Sequence, residues 1–176
     1  MVLSGSAKTT SNPKAAAGLS VGVGSFADPE ELQGLAHFLE HMLFMGTESF
    51  PDENDYSSYL NAHGGGSNAY TTDENTVYYF DVNNSYFKGA LDRFAAFFVC
   101  PLFTESATSR ELNAVHSEHA KNLQSDLWRG MQVVKSLARN DHPYSQFSTG
   151  NLETLQTEPA SKGINMRELL LDFHKT

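Results

Sequence analysis

Between Leu32 and Gly46 the sequence leaves the chain little freedom. Leu32, Leu35, Leu39, Met42 and Leu43 recur at the three- and four-residue spacing of one helical face, and Gly46 follows where such a helix must stop. Upstream, Asp28-Pro29-Glu30-Glu31 offers an acidic N-cap, a proline at the first helical position and a carboxylate at the third. The spacing therefore predicts a helix that opens at Pro29 and ends before Gly46. One side of it is committed to a core, and the neighbouring side carries His37, Glu40 and His41.

At about 100° per residue those three side chains share an arc of about 100°, and the two imidazoles lie one turn apart, about 6 Å along the axis. Both rings can then reach one ion at the roughly 2.0–2.1 Å typical of zinc–nitrogen bonds. Glu40 stands beside that ion, placed to take a proton from water. The order His-x-x-Glu-His is the inverted form of the His-Glu-x-x-His pattern of zinc hydrolases. The bland alternative is a polar helix face that binds no metal, so the surroundings have to decide.

Before this helix, Leu19, Val21 and Val23 alternate with Ser20, Gly22 and Gly24, a period-two pattern that predicts a strand over 16–25. Residues 1–14 are small and polar and are expected to be a disordered lead-in to a domain spanning 15–176. After the helix, a second one is expected over 52–61, closed by His63-Gly64-Gly65-Gly66. Phosphate-binding glycine loops follow a strand and open a helix, whereas this run does the reverse, so it reads as a helix stop. Tyr-, Thr- and Val-rich strands follow at 67–72 and 76–82, joined as a hairpin. Phe87, Ala90, Leu91, Phe94 and Phe98 mark a helix over 85–99; its aromatic stripe reads as core packing rather than as a cofactor pocket. A long helix is expected from Glu105 into the 130s, with Leu112, Val115, Leu123, Leu127 and Met131 as its apolar side. Asp141–Ala160 is rich in loop signals, and a last helix begins near Asn165 and runs to Thr176. This order of elements gives an α+β fold: a mainly antiparallel sheet with helices packed on one face.

Composition narrows the function. The chain of 176 residues has 12 Lys plus Arg against 21 Asp plus Glu, a net charge of −9, which argues against nucleic acid and anionic membranes as partners and tolerates basic peptides. Cys100 is the single cysteine, so no intramolecular disulfide forms, and a reducing, cytoplasmic setting is expected. No apolar run long enough for a membrane span and no signal-peptide layout is seen.

Two histidines leave a catalytic zinc site one protein ligand short. The long helix offers Glu111 and Glu118, two turns apart and about 20° out of line. If that face meets the first helix, one carboxylate can ligate and the other can orient a ligand from behind. His116 and His119 could pair on a metal of their own, but no third group accompanies them. At this point the residues resemble a known family. His37-Phe38-Leu39-Glu40-His41 followed after 76 residues by Glu118 is similar to the signature of the pitrilysin and insulin-degrading-enzyme family of zinc peptidases. So are Gln33-Gly34-Leu35-Ala36, Met42-Leu43-Phe44-Met45-Gly46-Thr47, Ser67-Asn68-Ala69-Tyr70, Leu91-Asp92-Arg93-Phe94, Glu118-His119, His142-Pro143 and Gly150-Asn151. The resemblance runs from about residue 12 to the end.

The resemblance implies that His37, His41 and Glu118 bind one Zn2+, that Glu40 is the general base, and that Glu111 supports a ligand. It implies that Ser67, Asn68, Ala69 and Tyr70 form the edge strand along which a peptide substrate lies. His116 stands where insulin-degrading enzyme carries an acid, a change expected to be tolerated at the surface. Members of the family are much longer, multi-domain peptidases, so this chain resembles the first part of the first domain. Two functions follow: a zinc metalloendopeptidase hydrolysing peptides or small proteins, or a catalytically incomplete zinc-binding piece acting as a structural or interaction module whose partner is the remainder of the peptidase.

Overall fold

The structure is a computed structural model in which residues 2–3 and 13–175 are described. Most of the expected lead-in therefore lies outside the described residues. Within it Val2–Leu3 forms a short strand, β1, and Lys14 already opens β2 (Lys14–Val21). The remaining elements are α1 (Leu35–Leu43), α2 (Asp55–Ala62), β3 (Gly66–Thr71), β4 (Thr76–Asn83), α3 (Phe87–Val99), α4 (Glu105–Asn122), α5 (Asp126–Ser136), α6 (Glu158–Ser161) and α7 (Met166–Phe173). They fall into two compact units. The first comprises Met1–Val21, Leu43–Tyr70 and Val77–Phe103, and the second Gly22–Met42, Thr71–Thr76 and Thr104–Thr176.

The first unit is a sheet of order β1-β2-β4-β3 with helices on it. β1 runs antiparallel to β2, with Val2 opposite Ala17 and Leu3 opposite Ala16. β2 and β4 are also antiparallel: the Pro13 carbonyl accepts from the Asn84 N–H at one end, while Gly18 lies against Tyr78 and Tyr79 further along. β3 and β4 form a hairpin, and β3 is the sheet edge. Alternation decides which face of β4 is covered: Tyr78, Phe80 and Val82 are buried and Tyr79 is exposed. The rings of Tyr56 from α2 and of Phe94 from α3 both meet Phe80, so the two helices share one face of the sheet. Arg93 ties them together, its Nε 2.6 Å from Asp55 Oδ2 and its guanidinium over the rings of Phe50 and Tyr59. This is the α+β arrangement expected, although β2 ends at Val21, short of the anticipated residue 25, and Leu19 is exposed.

The second unit departs from expectation at three places. No helix opens at Pro29. The chain turns through residues 29–34 and α1 begins only at Leu35, because Gly34 sits at φ +95, a conformation that stops a right-handed helix from extending upstream. Asp28 still caps that helix, but from a distance, with Oδ2 accepting from the Gly34 N–H and Oδ1 from the Ala36 N–H, both at 2.8 Å. The stop at Gly46 stands, with φ +85.

The long helix is two helices. After Asn122 the amides of Gln124 and Ser125 bond three residues back, to Lys121 and Asn122, instead of four, and the chain tightens out of α-helical geometry before α5 starts. The expected apolar side holds for Leu112 and Val115, which are buried, and fails for Leu123, Leu127 and Met131, which are exposed. Finally, α7 ends at Phe173. Its start is capped by Asn165, whose Oδ1 accepts from the Arg167 and Glu168 amides. In the first unit, Cys100 is partly accessible, with Sγ 3.8 Å from Ser49 Oγ.

Candidate metal centre

All the groups of this site belong to the second unit. α1 is anchored by Leu35, Phe38 and Met42, which are fully buried, and this directs His37, Glu40 and His41 toward α4. α4 in turn buries Ala107, Leu112 and Val115 and brings Glu111 and Glu118 to the same place. The Nε2 atoms of His37 and of His41 each lie 3.7 Å from Glu118 Oε2. One ligand atom from each of the three residues falls within 4.8 Å of the others. For comparison, the edge of a tetrahedron with bonds of about 2.0–2.1 Å is about 3.4 Å.

Each imidazole is held from behind. His37 Nδ1 donates to the Thr149 carbonyl at 2.7 Å, and His41 Nδ1 donates to Glu111 Oε2 at 3.1 Å. A carbonyl and a carboxylate only accept, so each Nδ1 carries a hydrogen and each Nε2 is the ring nitrogen left facing the shared point, where it can hold a proton or a metal ion. The rings stand nearly perpendicular, at 87°. Glu40 is 8% exposed and accepts a 2.6 Å hydrogen bond from Thr71 Oγ1 on its Oε2. Thr76 Oγ1 spends its own hydrogen on the Val23 carbonyl, so Thr71 gives its hydrogen to Glu40.

The charge of the pocket is that of a cation site. Burial works against a charged His41, yet Glu111, Glu118 and Glu40 outweigh it and push the imidazole up to about 9. His41 opposite, with His37 and Lys121 further off, holds Glu118 below the ordinary carboxylate range against the effect of burial. Three carboxylates around two imidazoles thus favour a positive charge at their centre, a proton or a metal ion. Two imidazole nitrogens, once free of a proton, and one carboxylate oxygen suit zinc. The donor set fits that ion.

His116 and His119 belong to no metal-ligating group among the described residues. His116 is exposed, and His119 packs on the Phe147 ring at 4.9 Å. Ser67, Asn68, Ala69 and Tyr70 lie on β3, the sheet edge, where Tyr70 is half exposed. Sequence reasoning missed Thr71 and the Thr149 carbonyl. A strand threonine carries no signal of its own, and a main-chain acceptor carries none at all.

Comparison with known proteins gives a consistent result. Residues 4–141 match the family described as Insulinase (Peptidase family M16). The chain is 60% identical over 162 residues to the A-factor-processing enzyme of Saccharomyces cerevisiae, covering 92% of this chain and 16% of that protein. It is 53% identical over 161 residues to human insulin-degrading enzyme, again covering 92% of this chain and 16% of the relative. The crystal structure of pitrilysin superposes with a TM-score of 0.86 at 41% identity, over 92% of this chain and 17% of that one. The chain therefore spans about a sixth of the length of these relatives. No helix among the described residues is long and apolar enough to cross a membrane.

Proposed function

Since the chain belongs to the insulinase family, peptidase family M16, we propose that it supplies the metal-binding part of a zinc metalloendopeptidase acting on peptides or small proteins. His37, His41 and Glu118 hold one Zn2+, and Glu40 is the general base. The observation that carries this reading is the convergence of two Nε2 atoms and one carboxylate oxygen on a common point, with Glu40 rising from the same helical turn. A bound zinc ion supplies Lewis acidity, lowering the pKa of a water toward about 7 and polarising a peptide carbonyl.

The chain's own residues do the rest. Glu40, one oxygen fixed by Thr71, keeps the other free to take a proton from the attacking water and return it to the leaving amine. Glu111 and the Thr149 carbonyl keep both imidazoles in the ligating tautomer. Ser67, Asn68, Ala69 and Tyr70 offer an edge strand to which an extended peptide adds its backbone hydrogen bonds. Zinc titration tests the ligands: wild type should take one equivalent. Glu40→Gln should keep zinc and lose turnover, and full activity in that variant would exclude the scheme.

A second reading, favoured by the 16–17% coverage of the relatives, is a zinc-binding piece that is inactive without the remainder of a larger multi-domain peptidase. A cleavage assay of the 176-residue chain, with and without the remainder supplied separately, separates the two. Turnover only on addition supports the second.

A further inference from the structure

We propose that Lys135 is a positioning residue for His37, acting through the segment 146–150. The two imidazoles are oriented by different kinds of group. His41 is held by the Glu111 side chain, whereas His37 is held by the main-chain carbonyl of Thr149. No substitution removes a carbonyl, so control of His37 lies in whatever fixes the backbone that carries it.

Lys135 grips that backbone on the near side of Thr149. Its Nζ donates to the Gln146 carbonyl at 3.3 Å and to Ser148 Oγ at 3.0 Å, with Asp73 Oδ1 at 3.9 Å and the Tyr144 ring below it at 5.4 Å. On the far side Gly150, at φ +80, lies against Gly34 so closely that a Cβ on Gly34 would come within 2.2 Å of the Gly150 Cα. Within the stretch that Lys135 holds, the Phe147 N–H donates to Oε1 of Gln33, four residues before His37, at 2.8 Å.

The placement of Lys135 runs against its chemistry. α5 exposes Leu127, Met131, Val133 and Val134, yet its lysine is only 7% exposed. A lysine on a helix so open to water would ordinarily carry its ammonium outward, because a buried charge is costly unless it is paired and hydrogen-bonded. Its bonds go to the stretch that ends in the Thr149 carbonyl. The role follows: with that carbonyl in place, His37 keeps its hydrogen on Nδ1 and its lone pair on Nε2.

This inference rests on the zinc reading given above, and two separate measurements on the 176-residue chain keep the two apart. The first is the zinc dissociation constant, by competition with a chromophoric chelator. The second is the His37 imidazole signal of the zinc-free chain, by long-range 1H–15N correlation, which reports the Nδ1 hydrogen directly. Lys135→Met should weaken zinc binding about 10–100-fold and replace the hydrogen-bonded Nδ1–H of His37 with a rapidly exchanging one. Lys135→Arg, which can still donate to residues 146 and 148, should restore both. A Met variant that loses stability but keeps wild-type zinc affinity and the wild-type His37 signal would overturn the proposal. If the Met variant does not fold, Ser148→Ala decides, because it removes one acceptor of Lys135 and nothing else: a shift of both readouts in the same direction supports the role, and wild-type values overturn it. Should the wild-type chain bind no zinc, the zinc reading falls and the His37 signal alone decides the role of Lys135.

Discussion

Asp28 should make the stability of this fold depend on pH in an unusual direction. The side chain is 6% exposed, and both oxygens are engaged by backbone amides of the α1 start. Burial dominates its titration and raises it from 3.8 to about 6, although the amides of Ala36, Gly34 and Leu35 and the charge of Lys135 pull the other way. The folded chain therefore holds this proton to higher pH than the unfolded chain does. Between about pH 4 and pH 6 the folded state binds more protons, so the stability Asp28 contributes is full below its unfolded pKa and is lost as pH rises through the folded one. A rise of about two units corresponds to about 3 kcal/mol.

Asp28→Asn cannot ionise and keeps one acceptor, but it turns an NH2 toward the second amide and leaves that buried donor unpaired, at a cost of about 1–3 kcal/mol. The variant should accordingly be less stable than wild type near pH 4, and the two should converge or cross by about pH 7 as wild type loses its contribution. Parallel urea unfolding of both zinc-free proteins across this range measures the gap at each pH. Subtracting one curve from the other cancels the titration of the remaining carboxylates. A gap that stays level, or one that widens with pH, would mean that the amides and Lys135 overcome burial and that Asp28 is an ordinary ionised cap.

Other outcomes follow from the same geometry. Glu118→Gln should cost more zinc affinity than Glu111→Gln, since the first removes a donor atom and the second only the acceptor behind His41, where losses of about 10–100-fold are typical; equilibrium titration of both variants gives the order. Gly34→Ala should unfold or severely destabilise the second unit, because φ +95 is unfavourable for alanine and the new Cβ meets the Gly150 backbone at 2.2 Å; thermal unfolding against wild type measures it. Thr71→Val should leave zinc binding unchanged and lower kcat on the order of tenfold, about 1.4 kcal/mol, by freeing the Glu40 oxygen it now holds, an effect readable as a fall in kcat without a matching change in zinc stoichiometry.

What could be read from the sequence was local. Helical spacing alone aligns His37, Glu40 and His41, and the seven-residue interval of Glu111 and Glu118 aligns those two. Richness in Tyr, Thr and Val predicted the β3–β4 hairpin, and glycine predicted the ends of α1 and α2. What could not be read depended on partners far along the chain. Pro29 is a sound helix-opening residue, yet Gly34 packs on Gly150 and fixes a turn there, a contact between residues 116 positions apart. Leu123-Gln124-Ser125 contains neither glycine nor proline, so nothing local announces the break between α4 and α5. The partner of His37 is a carbonyl, which every residue possesses.

His41 and Glu118 lie on different helices with 76 residues between them, in a chain whose lone cysteine rules out an internal disulfide. An ion gripping both helices would be a removable staple, closing a loop that the unfolded chain would otherwise leave open. Folding and metal supply then become one equilibrium. At free zinc about 100-fold above the dissociation constant the staple adds about 2.7 kcal/mol, and it vanishes with a chelator. The melting temperature of this chain should accordingly track the free zinc concentration of its surroundings, whether or not any peptide is ever cleaved.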